Sequence, residues 1–264
     1  MNLKRIKMIG FIIISCLCFS VFGQTSDYEI DKSNLSKGII KVNYEEDKGK
    51  ELKIQIKKGR EPNNFALKPG TNYPLQLGKG NYNIFILEHL GDYRYKVLKK
   101  EDIIYEPLKE NDIYLQSIYD VEWESEMNAV KKAKELTKNC VTEKQKVAAV
   151  YKYITSNILY DYEKARTVKA PYLPSADRTL LESKGICYDY TSVFAAMLRS
   201  LNIPTKLITG YKNDISDFHA WNQVYLADDN KWVTIDTTYD AGQIKSKFNQ
   251  MVKRDLEYKI QDQY

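Results

Sequence analysis

Cys187 sits two residues after Gly185 and opens a helical pattern in which Val193, Phe194, Met197, Leu198 and Leu201 share one apolar face. Asn202-Ile203-Pro204 ends that pattern. A cysteine at such an address meets unpaired backbone N–H groups and the positive end of the helix dipole, which favour a thiolate. The same N–H groups can hold the oxyanion of a tetrahedral intermediate. A cysteine that only fills a core has no use for this position.

Downstream, Thr205 to Gly210 reads as a strand, and two further runs, His219–Leu226 and Lys231–Asp236, flank the turn Asp228-Asp229-Asn230. They describe a β-hairpin. With Ala227 to Asn230 as the loop, Leu226 pairs with Lys231 and Asp236 falls opposite Trp221. Alternation then puts Asp236 and His219 on one face, a diagonal step apart. A carboxylate there can take the proton of one imidazole nitrogen and leave the other to a thiol. A loop one residue longer or shorter would turn Asp236 to the opposite face.

Two other uses of Cys187 compete with nucleophilic chemistry. Of four cysteines, Cys16 and Cys18 fall in an N-terminal apolar segment, leaving Cys140 and Cys187 as a disulfide pair or as two free thiols. A metal site of Cys187, His219 and Asp236 lacks the short-spaced Cys or His ligand pair of structural metal sites. No metal and no cofactor are expected.

These features together resemble the transglutaminase-like superfamily. The shared pattern is Gly185-x-Cys187 at a helix start, Ile203-Pro204 before a strand ending in Gly210, His219-Ala220-Trp221, and Asp236-x-Thr238. It covers residues 140–242. The resemblance implies a papain-like α+β core with Cys187 as nucleophile, His219 as base and Asp236 as orienting carboxylate. It also points to Tyr160, in the segment Ile158 to Tyr162, as an oxyanion donor. Trp221, as a wall beside the histidine, and Tyr188 complete the set of oxyanion or substrate-pocket candidates. Asp189 and Tyr190 either shape that pocket or cap the helix. The implied reaction is acyl transfer through a thioester on peptide or glutamine-type amides, with hydrolysis (protease or amidase) favoured over cross-linking. A non-catalytic surface-binding protein with a relict site is the alternative of another class.

The rest of the chain organises around this core. Residues 24–35 are polar and read as a lead-in. Alternating runs at 38–44, 52–57, 82–87 and 93–98, separated by turns such as Asp47-Lys48-Gly49, Pro69-Gly70 and Gly78-Lys79-Gly80, suggest a small antiparallel β-sandwich over residues 24–110. His89 reads as a surface histidine there. Helical sequence from about 117 opens the catalytic domain, 117–264, with a capping box at Thr142-Glu143-Lys144-Gln145 and a short helix capped by Ser175. The residues after Gly242 read as helical.

Residues 1–23 read as an export signal: a basic Met1–Lys7, an apolar Met8–Phe22 too short to span a bilayer comfortably, and a small-residue cleavage site. Ile13-Ile14-Ser15-Cys16 competes as a lipobox that would lipidate Cys16. The expected location is therefore secreted or cell-surface associated, with membrane contact only through a lipid anchor or an uncleaved signal. Removing Lys4, Arg5 and Lys7 lowers the formal charge of +5 by three to +2, too little to argue for nucleic acid. A protein or peptide substrate, such as a cell-wall or surface protein, is the expected partner.

Overall fold

The computed structural model describes residues 28–45, 49–242 and 250–264. The N-terminal apolar segment with Cys16 and Cys18, the Asp47-Lys48 part of the first turn, and residues 243–249 lie outside the described residues. No described helix is long and apolar enough to cross a membrane. The chain divides into two compact units between Ile113 and Tyr114.

The N-terminal unit is built from antiparallel sheets. One holds β1 (Tyr28–Asp31), β2 (Ile39–Tyr44) and β5 (Tyr73–Pro74). The other holds β3 (Leu52–Lys58), β4 (Glu61–Ala66), β6 (Gly80–His89) and β7 (Tyr95–Tyr105), in the order β4-β3-β6-β7. Alternation works as the sequence implies. Leu52, Ile54 and Ile56 of β3 face Ile84 and Ile86 of β6 in the core, while Lys53, Gln55 and Lys57 point outward. Contacts cross between the sheets. The rings of Phe65 and Tyr73 lie 5.8 Å apart, and the buried Tyr82 hydroxyl donates to Leu75 O at 2.8 Å. Two expectations need correction. The polar lead-in contains strand β1, whose Ile30 is buried against β2, and β4 was not foreseen because Glu61-Pro62-Asn63-Asn64 carries no alternating apolar signal.

The second unit is α+β. In chain order it contains α1 (Asn128–Thr137), α2 (Glu143–Asn157), β8 (Leu159–Tyr160), α3 (Tyr162–Thr167), α4 (Ala176–Glu182), β9 (Lys184–Gly185), α5 (Cys187–Ser200), β10 (Thr205–Lys212), β11 (His219–Leu226), β12 (Lys231–Ile235), α6 (Thr237–Gly242), β13 (Val252–Lys253) and β14 (Tyr258–Gln263). The α2 capping box forms: the Gln145 N–H donates to Thr142 Oγ1 at 3.2 Å, and Gln145 Oε1 accepts from the Thr142 N–H at 3.2 Å. Ser175 caps α4 through the Arg178 N–H.

The sheet is five-stranded and antiparallel, β13-β12-β11-β10-β14. Helix α5 packs on β10 and β11 and is also contacted by α1, α2, α4 and α6. It is therefore buried all round from Asp189 to Arg199, including Thr191, Ser192, Ala195 and Ala196, where the sequence suggested a single apolar face. Small residues on its remaining sides let neighbours close in from every direction. The buried Arg199 guanidinium donates to Thr205 O, Gln116 O and Tyr264 O at 2.9, 2.7 and 3.0 Å, which satisfies a charge that would otherwise be costly to bury.

Of the residues after Gly242, the described ones do not form the expected helix. Residues 250–264 supply β13 and β14, and β14 extends the sheet along β10. Gly210 makes this pairing possible. A β-carbon there would lie 2.1 Å from Lys259 O and 2.9 Å from the Trp221 ring. The strand also continues past Gly210 to Lys212, with a register shift at Thr209/Gly210.

Candidate active site

The hairpin adopts the register set by a four-residue connection. Leu226 pairs with Lys231 and Asn222 with Ile235. Asn230 closes the turn in the left-handed region, φ 48°. His219 opens β11, and Asp236 follows the last residue of β12 on the same face. His219 Nε2 donates to Asp236 Oδ2 at 2.8 Å, with the His219 side chain 6% exposed and that of Asp236 fully buried. The other imidazole nitrogen is left for Cys187.

Cys187 is the first residue of α5 and only partly exposed. The first helical bond runs from the Tyr190 N–H to Ile186 O at 3.1 Å, so the Cys187 and Tyr188 N–H groups precede the helical ladder. Cys140 and Cys187 are both free thiols. Burial opposes protonation of His219, but the hydrogen bonds to Asp236 and Cys187, with the charges on both, outweigh it and raise the imidazole to about 10. An imidazole so raised is cationic through the neutral range and can neutralise a thiolate beside it.

Tyr160 lies next to the cysteine through a parallel bridge between β8 and β9 that pairs it with Gly185. Burial, reinforced by Cys187, raises its hydroxyl to about 12. It therefore stays protonated at neutral pH and available as a donor. Trp221 is buried, its ring roughly parallel to His219 at a 6.2 Å centroid separation. Tyr188 differs from expectation. Its hydroxyl donates to Asp120, a buried carboxyl that burial pushes up to about 6, so this O–H is committed away from an oxyanion.

Asp189 turns out to organise the approach to the helix. It is fully buried and accepts from the Ile186 N–H at 2.8 Å, from Lys164 Nζ at 2.7 Å and from the Tyr172 hydroxyl. Gly185 is needed for this packing, because a β-carbon there would lie 2.7 Å from Asp189 Cβ. Lys164 and Tyr172 are polar residues in a short helix and a loop respectively, and nothing in their spacing marks them as partners of Asp189.

The residue most clearly missed is Tyr258. From β14, its hydroxyl donates to Asp236 Oδ2 at 3.1 Å and its ring packs on Trp221 at 5.0 Å. Asp236 Oδ1 accepts the Tyr239 N–H at 3.0 Å at the start of α6. The carboxylate thus has three donors, and only the histidine was foreseeable. Among the described residues no group of three or more His, Cys, Asp and Glu is arranged to hold a metal ion.

A helix-start thiol, an imidazole and a buried carboxylate are thus brought together beside the antiparallel sheet of an α+β fold. Residues 130–237 match the family model of the transglutaminase-like superfamily. No curated protein matches the chain. Among solved structures it is similar to a candidate cysteine protease from Cytophaga hutchinsonii (23% identity, TM-score 0.44, 57% of this chain and 45% of that one). It is also similar to a TGase (24%, TM-score 0.35, 46% of this chain and 32% of that one) and to the periplasmic domain of TgpA from Pseudomonas aeruginosa (14%, TM-score 0.41, 85% of this chain and 97% of that one). The chain spans less than half the length of the first two.

Proposed function

We propose that this chain is an exported cysteine-dependent acyl-transfer enzyme that acts on peptide or glutamine-type amides, with water as the usual acceptor. The observation that carries the reading is the His219 Nε2–Asp236 Oδ2 bond beside a free Cys187 at the start of α5.

In this reading the Cys187 thiolate attacks the amide carbonyl carbon and a C–S bond forms. The carbonyl oxygen takes up negative charge, which the Cys187 N–H and the Tyr160 O–H can stabilise. The imidazolium of His219 gives its proton to the leaving nitrogen as the C–N bond breaks, and ammonia or an amine departs from a thioester. Neutral His219 then takes a proton from water, whose oxygen attacks the thioester carbonyl. The C–S bond breaks and the thiolate–imidazolium pair is restored. Replacing water by a lysine amine would make the same chemistry cross-linking.

The reading is tested with glutamine-containing peptides, following ammonia and new peptide termini with and without an amine acceptor. Cys187→Ala is expected to abolish turnover with an unchanged fold by circular dichroism, since a small residue fits the helix start. Turnover surviving in that variant would remove Cys187 as nucleophile.

A further inference from the structure

We propose that Tyr258 is a positioning residue of this site, holding Asp236 by sharing its Oδ2 atom with His219. The proposal rests on the acyl-transfer reading for its importance but not for its test.

Asp236 Oδ2 accepts from His219 Nε2 at 2.8 Å and from the Tyr258 hydroxyl at 3.1 Å. Two donors on one oxygen compete for its charge. The tyrosine therefore limits how strongly the carboxylate holds the imidazolium, and it also fixes the direction in which the carboxylate points. The ring has little freedom to do otherwise. Trp221 packs against it, and the Lys212 ammonium lies 5.6 Å from its centroid. Its backbone is paired with Lys212 in the β10–β14 ladder. Burial keeps the hydroxyl protonated far above the usual tyrosine range, so it remains a donor wherever the protein is folded.

The charged groups around this cluster have partners of their own. On α6, Asp240 is held by Lys253 of β13 at 2.5 Å and by the Tyr151 hydroxyl of α2 at 2.9 Å. On β10, Lys212 is paired with Asp214 and lies 4.0 Å from Glu257. On α5, Cys187 faces the histidine. Removing the Tyr258 hydroxyl changes none of these pairings, so its effect is read at His219.

The chain has two histidines, which makes the measurement direct. The imidazole of His219 is titrated by NMR in the full chain carrying Cys187→Ala, with His89 assigned through His89→Gln. Adding Tyr258→Phe, which keeps the ring, should raise the His219 midpoint by about half a unit or more, because Asp236 then gives its full strength to the imidazolium. Tyr239→Phe serves as control. Its hydroxyl bonds Asp214 rather than Asp236, and it should leave the midpoint in place. A packing role alone would lower the melting temperature and leave the midpoint where it was, and that result overturns the proposal. Should the phenylalanine variant fail to fold, a ring-fluorinated tyrosine at 258, a stronger donor, should lower the midpoint; no movement there would overturn the proposal equally. Failure of Cys187 to react with iodoacetamide in the unmodified protein would sink the acyl-transfer reading alone, since the His219 titration decides Tyr258 in either case.

Discussion

Asp236→Asn tests the electrostatics of the site more sharply than any truncation, because the replacement has the same shape. The carboxylate accepts three hydrogen bonds and donates none: His219 Nε2 and the Tyr258 hydroxyl on Oδ2, and the Tyr239 N–H on Oδ1. Asparagine cannot match that set. With its amide NH2 at the Oδ2 position, it faces two donors and forces His219 into the tautomer that carries the proton toward the thiol. With the NH2 at the Oδ1 position, it faces the Tyr239 N–H. Either orientation leaves a buried donor opposed, at a cost of about 1–3 kcal/mol. The larger effect is on charge. Asp236 is foremost among the groups that lift His219 to about 10, and losing an adjacent opposite charge lowers a pKa by about 1–3 units. Turnover should fall by on the order of a hundredfold to ten-thousandfold, as for a wrong histidine tautomer. Alkylation of Cys187 by iodoacetamide at pH 6 should slow by on the order of tenfold, because the imidazolium that faces the sulfur loses its support. Turnover is read from ammonia release and new peptide termini, and alkylation from the mass of the intact protein over time. An unchanged alkylation profile from pH 5 to 9 together with unchanged turnover would refute the claim that Asp236 governs His219.

Gly210→Ala should lower stability by at least about 2–3 kcal/mol in urea unfolding, since the new methyl falls 2.1 Å from Lys259 O and the β10–β14 ladder must shift; a change below about 0.5 kcal/mol would show that β14 does not seat as described. The histidine also sets a pH dependence. Its midpoint is raised in the folded protein, so its contribution to stability is complete below the unfolded value of 6.5 and is lost as pH rises toward about 10. The unmodified protein should therefore lose more stability between pH 7 and pH 10 than His219→Gln does, and equal losses measured by urea midpoints would contradict the raised midpoint.

What could be read from the sequence and what could not divides along a physical line. The thiol, imidazole and carboxylate were legible because each is tied to local geometry: a helix start for Cys187, and a hairpin whose turn length alone sets the face of Asp236 relative to His219. The capping box at Thr142 and the Ser175 cap were legible for the same reason, since caps act across three residues. The groups that hold those side chains in place were not legible. Tyr258 reaches Asp236 across 22 positions, Tyr188 reaches Asp120 across 68, and Lys164 reaches Asp189 across 25. Tyrosine is abundant in this chain, 21 residues in all, so no single one stands out without its neighbours. The C-terminal segment was misread because its charged residues suit an exposed helix as well as an edge strand: β14 is flanked on one side only, so its side chains stay half-exposed and no alternating apolar signal marks them. The signal for that strand lies instead in Gly210, which sits where a side chain would bar the pairing. The placement of the thiol, imidazole and carboxylate is thus written in a few local spacings, while the Tyr258 hydroxyl that meets the carboxylate beside Trp221 comes from a distant strand.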